Sequence, residues 1–125
     1  MQPTTVLIVD DNAEFRGRVR SLLSLEEGIQ VIGEAGDGEQ AVLETARLHP
    51  DIVLMDVRMP RMNGLEAARR ITSESSGTQV IILSQYDIDE YKQAATESGV
   101  RDYVVKKSMM RRLIPAIRAA VSKAI

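Results

Sequence analysis

Cysteine and tryptophan are missing from the 125 residues of this chain, and phenylalanine occurs once. The lack of cysteine excludes disulfides, thiolate metal sites and a cysteine nucleophile, and it fits a reducing compartment. No apolar run approaches the roughly 20 residues that span a membrane, and the amino terminus lacks the apolar core of a signal peptide. We therefore expect a cytoplasmic protein without a membrane partner.

A strong net charge and a glycine-rich loop are also missing. The formal net charge of −2 gives no electrostatic reason for this segment itself to bind nucleic acid. The first apolar run, residues 5–9, leads into acidic residues, which argues against a dinucleotide site or a P-loop. The length suits one domain, and no repeat, low-complexity tract or linker divides the sequence.

Short apolar runs alternate regularly with amphipathic segments along the chain. The runs that predict strands are residues 5–9, 29–35, 52–55, 78–83 and 102–106. A segment with helical spacing follows each run, and in the first of them Arg16, Arg18 and Arg20 lie opposite the apolar side. Asp37, Asn63 and Asp87 each precede a Gln or Glu by three residues, the spacing of a capping box. These residues are therefore predicted to cap the second, third and fourth helices.

The alternation predicts an α/β fold in which a five-stranded parallel sheet is covered by helices on both faces. A flavodoxin-like strand order of 2-1-3-4-5 would place strands one and three side by side at the switch point of the sheet. The sequence does not state that order, but it is the one that brings together the acidic residues after these two strands. Pro115 is expected to kink the last helix, or else its regular part begins later than Ser108 suggests.

Acidic residues close two of the predicted strands. Asp10 and Asp11 follow the first strand, and Asp56 ends the third. Two unit charges about 4 Å apart repel by roughly 4 kcal/mol at an effective dielectric of 20, so such a cluster needs a cation. Oxygen ligands suit Mg²⁺ or Mn²⁺ better than zinc. The alternative is that the first two acids only cap a helix, because Asp11 and Glu14 have capping-box spacing.

Four features occur in a fixed order across the whole chain. They are Asp10-Asp11 after strand one, Asp56 within residues 55–64, Ser84 after strand four, and Tyr103 to Lys106 in strand five. In order and spacing they resemble the receiver domain of a two-component response regulator. The sequences of residues 28–35 and 113–118 are most similar to those of receivers of the NarL/LuxR class. In that class a helix-turn-helix DNA-binding domain usually follows the receiver. We expect residues 1–125 to be a receiver domain that reaches DNA only through an output domain outside this chain.

The resemblance implies a Mg²⁺-dependent phosphoryl transfer from a partner sensor histidine kinase onto Asp56. A carboxylate nucleophile is already ionised and needs no base. Asp11 and Asp56 would bind Mg²⁺ directly, Asp10 would act through water, and the backbone carbonyl of Arg58 would complete the site.

The resemblance also gives roles to residues of the fourth and fifth strands. Lys106 would pair with a phosphoryl oxygen, and Ser84 would donate a hydrogen bond to another. Tyr103 would be the switch aromatic, although plain packing is an equal alternative, and Lys107 is the rival of Lys106. Many receivers have proline at the position of Lys107, often after a cis peptide bond. The cis form costs about 3 kcal/mol for other residues, so we expect a trans bond here.

Two other functions compete with a phosphorylation-controlled switch. Haloacid-dehalogenase-type phosphatases also use a nucleophilic Asp and Mg²⁺, but they place a second acid where this chain has Arg58. We therefore expect that the chain is not an enzyme and that its chemistry is at most its own phosphorylation and dephosphorylation. A stand-alone receiver or pseudo-receiver acting as an interaction module is the other alternative. As a switch, the chain is expected to form a homodimer on phosphorylation, through helix four, strand five and helix five or through helices one and five.

Overall fold

The structure is a computed structural model, and it describes residues 2–122. Five strands and five α-helices alternate, with a short 3-10 helix before the last one. Their bounds are β1 Thr4–Val9, α1 Ala13–Ser24, β2 Ile29–Ala35, α2 Gly38–Leu48, β3 Ile52–Met55, α3 Gly64–Glu74, β4 Gln79–Ser84, α4 Asp89–Glu97, β5 Asp102–Val105, the 3-10 helix Lys106–Ser108 and α5 Met109–Ser122. The strands form one sheet in the order β2-β1-β3-β4-β5, and every pairing is parallel. The predicted flavodoxin-like α/β fold is confirmed.

The central strands are buried on both faces, as their apolar sequences predict. Alternate residues of each strand point to opposite faces, so the sheet separates two apolar clusters. One cluster lies beneath α1 and α5, and the other lies beneath α2, α3 and α4. Among residues 2–122, no helix is both long and apolar enough to cross a membrane.

The predicted caps of α2 and α3 are confirmed, and that of α4 is wrong. Asp37 accepts from the backbone N–H of Gln40, and Asn63 accepts from that of Glu66. Helix α4 starts two residues after Asp87, because its first turn closes on the carbonyl of Ile88. The Asp87 carboxylate instead pairs with Lys92 within α4.

Asn12, and not Asp11, caps helix α1, because its side chain accepts from the N–H of Phe15. Capping therefore does not account for Asp11. At the other end of the chain, β5 stops at Val105, one residue earlier than predicted, and Lys106 begins the 3-10 helix. Helix α5 begins at Met109 and contains Pro115, so the predicted alternative of a later helix start is wrong.

A β-bulge interrupts the pairing of β1 with β2. Val6 pairs with Val31, whereas Leu7 pairs with Gly33, so Ile32 is the extra residue. Beyond the bulge Ile8 pairs with Glu34. Because Ile8 belongs to the cluster beneath α1, the side chain of Glu34 lies on the α1 face of the sheet.

Candidate functional site

The sheet register brings Asp10 and Asp56 to the same edge. Val9 pairs with Met55, so the two chains leave neighbouring strands at the same level. The Asp56 N–H donates to the carbonyl of Val9 at 3.0 Å, and the Asp10 N–H donates to that of Ala35 at 3.1 Å. These bonds extend the ladder one residue past each strand and fix where the acids start.

The three predicted acids form a cluster in which a carboxylate oxygen of each lies within 4.8 Å of those of the others. Asp10 and Asp56 are buried, at 2% and 8% exposure, whereas Asp11 is open to solvent. Burial raises the pKa of Asp56 to about 6; Lys106 opposes this, and the charges of Asp10 and Asp11 add to it. Clustered carboxylate oxygens, one of them open to solvent, suit a hard divalent cation such as Mg²⁺.

Lys106 lies among these acids. Its Nζ is 2.8 Å from Oδ2 of Asp10 and 3.7 Å from Oδ2 of Asp56, and it stands 3.9 Å above the ring centre of Phe15. Lys107, the sequence rival, is exposed, and the peptide bond between the two lysines is trans. The ammonium group therefore balances part of the negative charge at the site.

Ser84 and Tyr103 meet at the loop after β4. Ser84 is fully buried, and its Oγ accepts from the N–H of Tyr86 at 3.1 Å. The Tyr103 hydroxyl donates to the carbonyl oxygen of Tyr86 at 2.6 Å. Burial raises the pKa of Tyr103, and the Ser84 hydroxyl partly opposes that rise. The two predicted switch residues are therefore linked through one loop residue.

Arg58, two residues after Asp56, contacts Tyr86 in the loop after β4. Its guanidinium lies 5.5 Å from the ring centre of Tyr86, a cation–π distance that joins the loop after β3 to the loop after β4. Beside it is a cleft of about 460 Å³ that runs from Asp11 to Tyr91. Residues lining it between those two are Val57, Arg58, Met59, Pro60, Asn63 and Leu65.

Two glycines closely approach the loop after Asp56. A Cβ on Gly64 would lie 1.8 Å from the carbonyl oxygen of Asp56, and a Cβ on Gly38 would lie 2.1 Å from that of Met62. The Gly64 N–H donates to the carbonyl of Val57 at 2.7 Å. The sequence offered one sign of these close approaches. Each glycine directly follows the N-cap residue of a helix, a position where a residue with a higher helix propensity is more common.

Arg16 also contacts the site, although its sequence position suggested an outward-facing residue. Its Nη1 donates to the backbone carbonyl of Asp10, and its Nε donates to Oε1 of Glu34 at 2.8 Å. The Nε of Arg20 donates to the other oxygen of Glu34, also at 2.8 Å. The hydrogen bond from Arg16, followed by that from Arg20, lowers the pKa of Glu34 against the opposing effect of burial. No pattern in the sequence indicated that Glu34 of β2 would lie beside these arginines of α1.

The sequence of this chain matches the family model of the response regulator receiver domain over residues 6–118. The chain belongs to that family. The receiver domain is 42% identical over 122 residues to the transcriptional regulatory protein PdtaR of Mycobacterium tuberculosis strain H37Rv. That alignment covers 97% of this chain and 58% of PdtaR. The domain is also 32% identical over 121 residues to the nitrate/nitrite response regulator NarL of Escherichia coli K12, covering 97% of this chain and 56% of NarL.

The fold of this receiver domain is shared with solved receivers. The signal receiver domain of the putative response regulator NarL from Mycobacterium tuberculosis superposes with a TM-score of 0.92 at 30% identity, and each chain is covered completely. The resemblance to NarL/LuxR-class receivers is therefore confirmed. The chain spans little more than half the length of the curated relatives named above.

Proposed function

We propose that this receiver domain is a phosphorylation-controlled switch that accepts a phosphoryl group from a partner histidine kinase onto Asp56 in a Mg²⁺-dependent reaction. The observation that carries this proposal is the surroundings of Asp56. It is a buried carboxylate with two further carboxylates within 4.8 Å and a lysine ammonium at 3.7 Å. Phosphoryl transfer requires a charged nucleophile beside groups that neutralise the phosphoryl oxygens, and here these are the ammonium group and a divalent cation that the other carboxylates can hold.

The two oxygens of Asp56 have different surroundings, which supports the proposal that Oδ2 is the attacking atom. Oδ1 accepts a hydrogen bond from the N–H of Val57 at 2.8 Å and is held in place. Oδ2 faces Lys106. In the proposed step Oδ2 forms a bond to phosphorus as the phosphorus–nitrogen bond of the kinase phosphohistidine breaks, and the electron pair returns to the imidazole. Lys106 then exchanges part of its contact with Asp10 for a phosphoryl oxygen.

The acidic cluster fits the Mg²⁺ that such a transfer uses. Asp11 and Asp56 would hold the ion directly, and the backbone carbonyl of Arg58 would complete the protein ligands. Asp10 would act through water, because its Oδ1 already accepts from the N–H of Asn12 and its Oδ2 from Lys106. When bound, Mg²⁺ supplies neutralisation of the phosphoryl oxygens.

The switch itself would pass through the loop after β4. Ser84 has a hydroxyl proton that can be donated to a phosphoryl oxygen, because its Oγ acts as the acceptor toward Tyr86. Any movement of Ser84 acts on Tyr86, and Tyr103 is bonded to the carbonyl of that same residue. Phosphorylation would then be read out on the surface formed by α4, β5 and α5.

A switch fits the site better than a phosphatase. The second acid of haloacid-dehalogenase-type phosphatases is replaced by Arg58, whose guanidinium is stacked near Tyr86. We propose that chemistry in this chain is limited to its own phosphorylation and dephosphorylation. The intact cluster of three acids and Lys106 also favours a working receiver over a pseudo-receiver.

The relatives favour an output in transcription. PdtaR is a transcriptional regulatory protein and NarL a nitrate/nitrite response regulator, and both are longer than this chain. We propose that this receiver works in the cytoplasm with a sensor histidine kinase and controls DNA binding by an output domain. Phosphorylation is proposed to favour a homodimer through α4, β5 and α5 or through α1 and α5. Sedimentation with and without beryllofluoride at several concentrations tests this, and a monomer throughout would contradict it.

The proposed function is tested by treating the protein with acetyl phosphate and MgCl₂ and measuring its intact mass. We expect the wild type to gain the mass of one phosphoryl group and the Asp11→Ala variant to gain little in the same time. A wild type that stayed unmodified with both acetyl phosphate and a kinase donor would contradict the proposal. Glu27→Ala is the control, because it removes an exposed acid outside the cluster.

A further inference from the structure

Every polar group of Asp10 has a bonding partner. Its N–H donates to the carbonyl of Ala35, its Oδ1 accepts from the N–H of Asn12, and its Oδ2 accepts from Lys106. The remaining group, the backbone carbonyl, accepts from Nη1 of Arg16. Asp10 and its neighbour Asp11 form the turn from β1 into α1, so these bonds set where both carboxylates point.

Arg16 is a partner of Asp10 that is also anchored to β2. Its Nε donates to Glu34 of β2 at 2.8 Å, and only 19% of its side chain is exposed. The planar guanidinium thus bridges a backbone carbonyl and a carboxylate with two different N–H groups, which a lysine ammonium on a flexible stem does not reproduce well. The bridge links the β1–α1 turn to the edge of the sheet.

The bulge in β2 is what makes this bridge possible. With Ile32 as the extra residue, Glu34 pairs with Ile8 and lies on the α1 face. Because side chains alternate along a strand, regular pairing past Val31 would have turned Glu34 to the opposite face. The bulge therefore aims an acid at α1 and leaves Ala35 in place to receive the N–H of Asp10.

Arg20 provides a control that the fold itself contains. It lies one turn further along α1, and its Nε donates to the second oxygen of Glu34 at 2.8 Å. Its side chain is 47% exposed, against 19% for Arg16. The two arginines thus share one carboxylate, and it is Arg16 that continues to the carbonyl of Asp10.

We propose that Arg16, held by Glu34, is a positioning residue that fixes the β1–α1 turn so that the carboxylates of Asp10 and Asp11 are arranged for a divalent cation. The inference rests on the proposed function of the acidic cluster. Arg16 is not a ligand, and it acts through the backbone of Asp10. Partners of this kind around a metal site typically change metal affinity about 10–100-fold when they are removed.

Electrostatics and positioning predict opposite effects when the arginine is removed. A positive charge near the cluster repels a cation, so its loss on electrostatic grounds alone would tighten Mg²⁺ binding. Loss of positioning would weaken that binding, because the carboxylates would have to be reordered as the ion binds. The sign of the change therefore separates the two accounts.

The test is a titration of MgCl₂ into the wild type and into Arg16→Ala, Arg16→Lys and Arg20→Ala, followed by calorimetry and by backbone amide NMR of residues 10–12. We expect Arg16→Ala to raise the Kd for Mg²⁺ about tenfold or more. Arg16→Lys keeps the charge but not the bridge, so its Kd should rise as well. Arg20→Ala removes a charge and an ion pair with Glu34, and its Kd should stay the same or fall.

Melting curves without Mg²⁺ separate binding from folding. We expect all variants to be folded at the titration temperature; if Arg16→Ala is not, the comparison of Arg16→Lys with Arg20→Ala decides. Equal or tighter binding by both Arg16 variants, or an equal weakening in Arg20→Ala, would overturn the positioning role while leaving the proposed function intact. A wild type that bound no Mg²⁺ would overturn the proposed function and this inference together.

Discussion

The hydroxyl of Tyr103 donates a hydrogen bond to the backbone carbonyl of Tyr86 at 2.6 Å. The backbone N–H of Tyr86 donates to Oγ of Ser84 at 3.1 Å. Ser84 and Tyr103, the two residues of the proposed switch, are therefore both hydrogen-bonded to the backbone of Tyr86. A shift of Ser84 toward a phosphoryl group would therefore alter the partner of Tyr103 directly. The hydrogen bond between Tyr103 and Tyr86 is therefore the part of the proposed switch that a mutation can remove.

Removal of the Tyr103 hydroxyl should uncouple the switch from the chemistry. We expect Tyr103→Phe to accept a phosphoryl group as the wild type does and to lose about 1 kcal/mol of unfolding free energy with its hydrogen bond. Amide NMR with beryllofluoride and Mg²⁺ should show smaller shifts in α4 and β5 than in the wild type. Tyr91→Phe is the control, since Tyr91 contacts Tyr86 through its ring at 5.6 Å. Identical shifts in Tyr103→Phe and the wild type would exclude a switch role.

The raised pKa of Asp56 predicts a pH dependence of stability. Its pKa rises from 3.8 to about 6 on folding, chiefly because of burial. The folded state therefore binds the proton more tightly than the unfolded chain, and the destabilisation is present above pH 6 and relieved as the pH falls toward 4. A shift of this size corresponds to about 3 kcal/mol, as an order of magnitude.

Asp56→Asn should remove this contribution. Without Mg²⁺, we expect the variant to be more stable than the wild type at pH 7 by about 1–3 kcal/mol and to approach it at low pH. Urea unfolding at several pH values measures both proteins. A difference that did not change with pH would show that the charge of Asp56 is not the cause.

Mg²⁺ should stabilise the fold by mass action through the acidic cluster. We expect the melting temperature of the wild type to rise with millimolar MgCl₂ and that of Asp11→Ala to stay nearly constant. Glu27→Ala should respond as the wild type does, because Glu27 is an exposed acid outside the cluster. An equal response of Asp11→Ala and the wild type would place the bound ion elsewhere.

The contact between Gly64 and Asp56 predicts a sharp difference between two glycines. In Gly64→Ala the new Cβ would meet the Asp56 carbonyl oxygen at 1.8 Å, so the backbone of the site must move. We expect a loss of about 2–4 kcal/mol in unfolding free energy, together with slower phosphorylation by acetyl phosphate. Gly17→Ala in α1 meets open space and should stabilise the protein by up to about 1 kcal/mol. Similar effects of the two changes would contradict the packing account.

Patterns that are local or periodic made much of the site predictable from sequence. A run of apolar residues ending in an acid marks the carboxyl end of a buried strand, and this located Asp10, Asp11 and Asp56. The neighbouring position of strands one and three came from the general rule for open α/β sheets and from the fact that this order brings the acidic residues after these strands together. Lys106 was selected over Lys107 by the Tyr-Val-Val-Lys spacing, and in the structure it lies beside Asp10.

Features that depend on non-local geometry were not predictable. The bridge from Arg16 needs the bulge at Ile32 to turn Glu34 toward α1, and an apolar β2 sequence reads the same with or without a bulge. The close approach of Gly64 to Asp56 depends on the path of the loop between them. The mistaken cap at Asp87 has a local cause, since the observed N-cap, Ile88, is the next residue and the capping-box spacing fits the wrong one of the two.

The location of the phosphoryl group decides whether Asp56 is the phosphoacceptor. After treatment with acetyl phosphate and MgCl₂, reduction with borohydride converts a phosphorylated aspartate to homoserine, and peptide mass spectrometry then identifies the modified residue. We expect modification at Asp56 and none at Asp10 or Asp11, with no modification in Asp56→Asn. Modification at either of the other two acids, or full modification of Asp56→Asn, would contradict it.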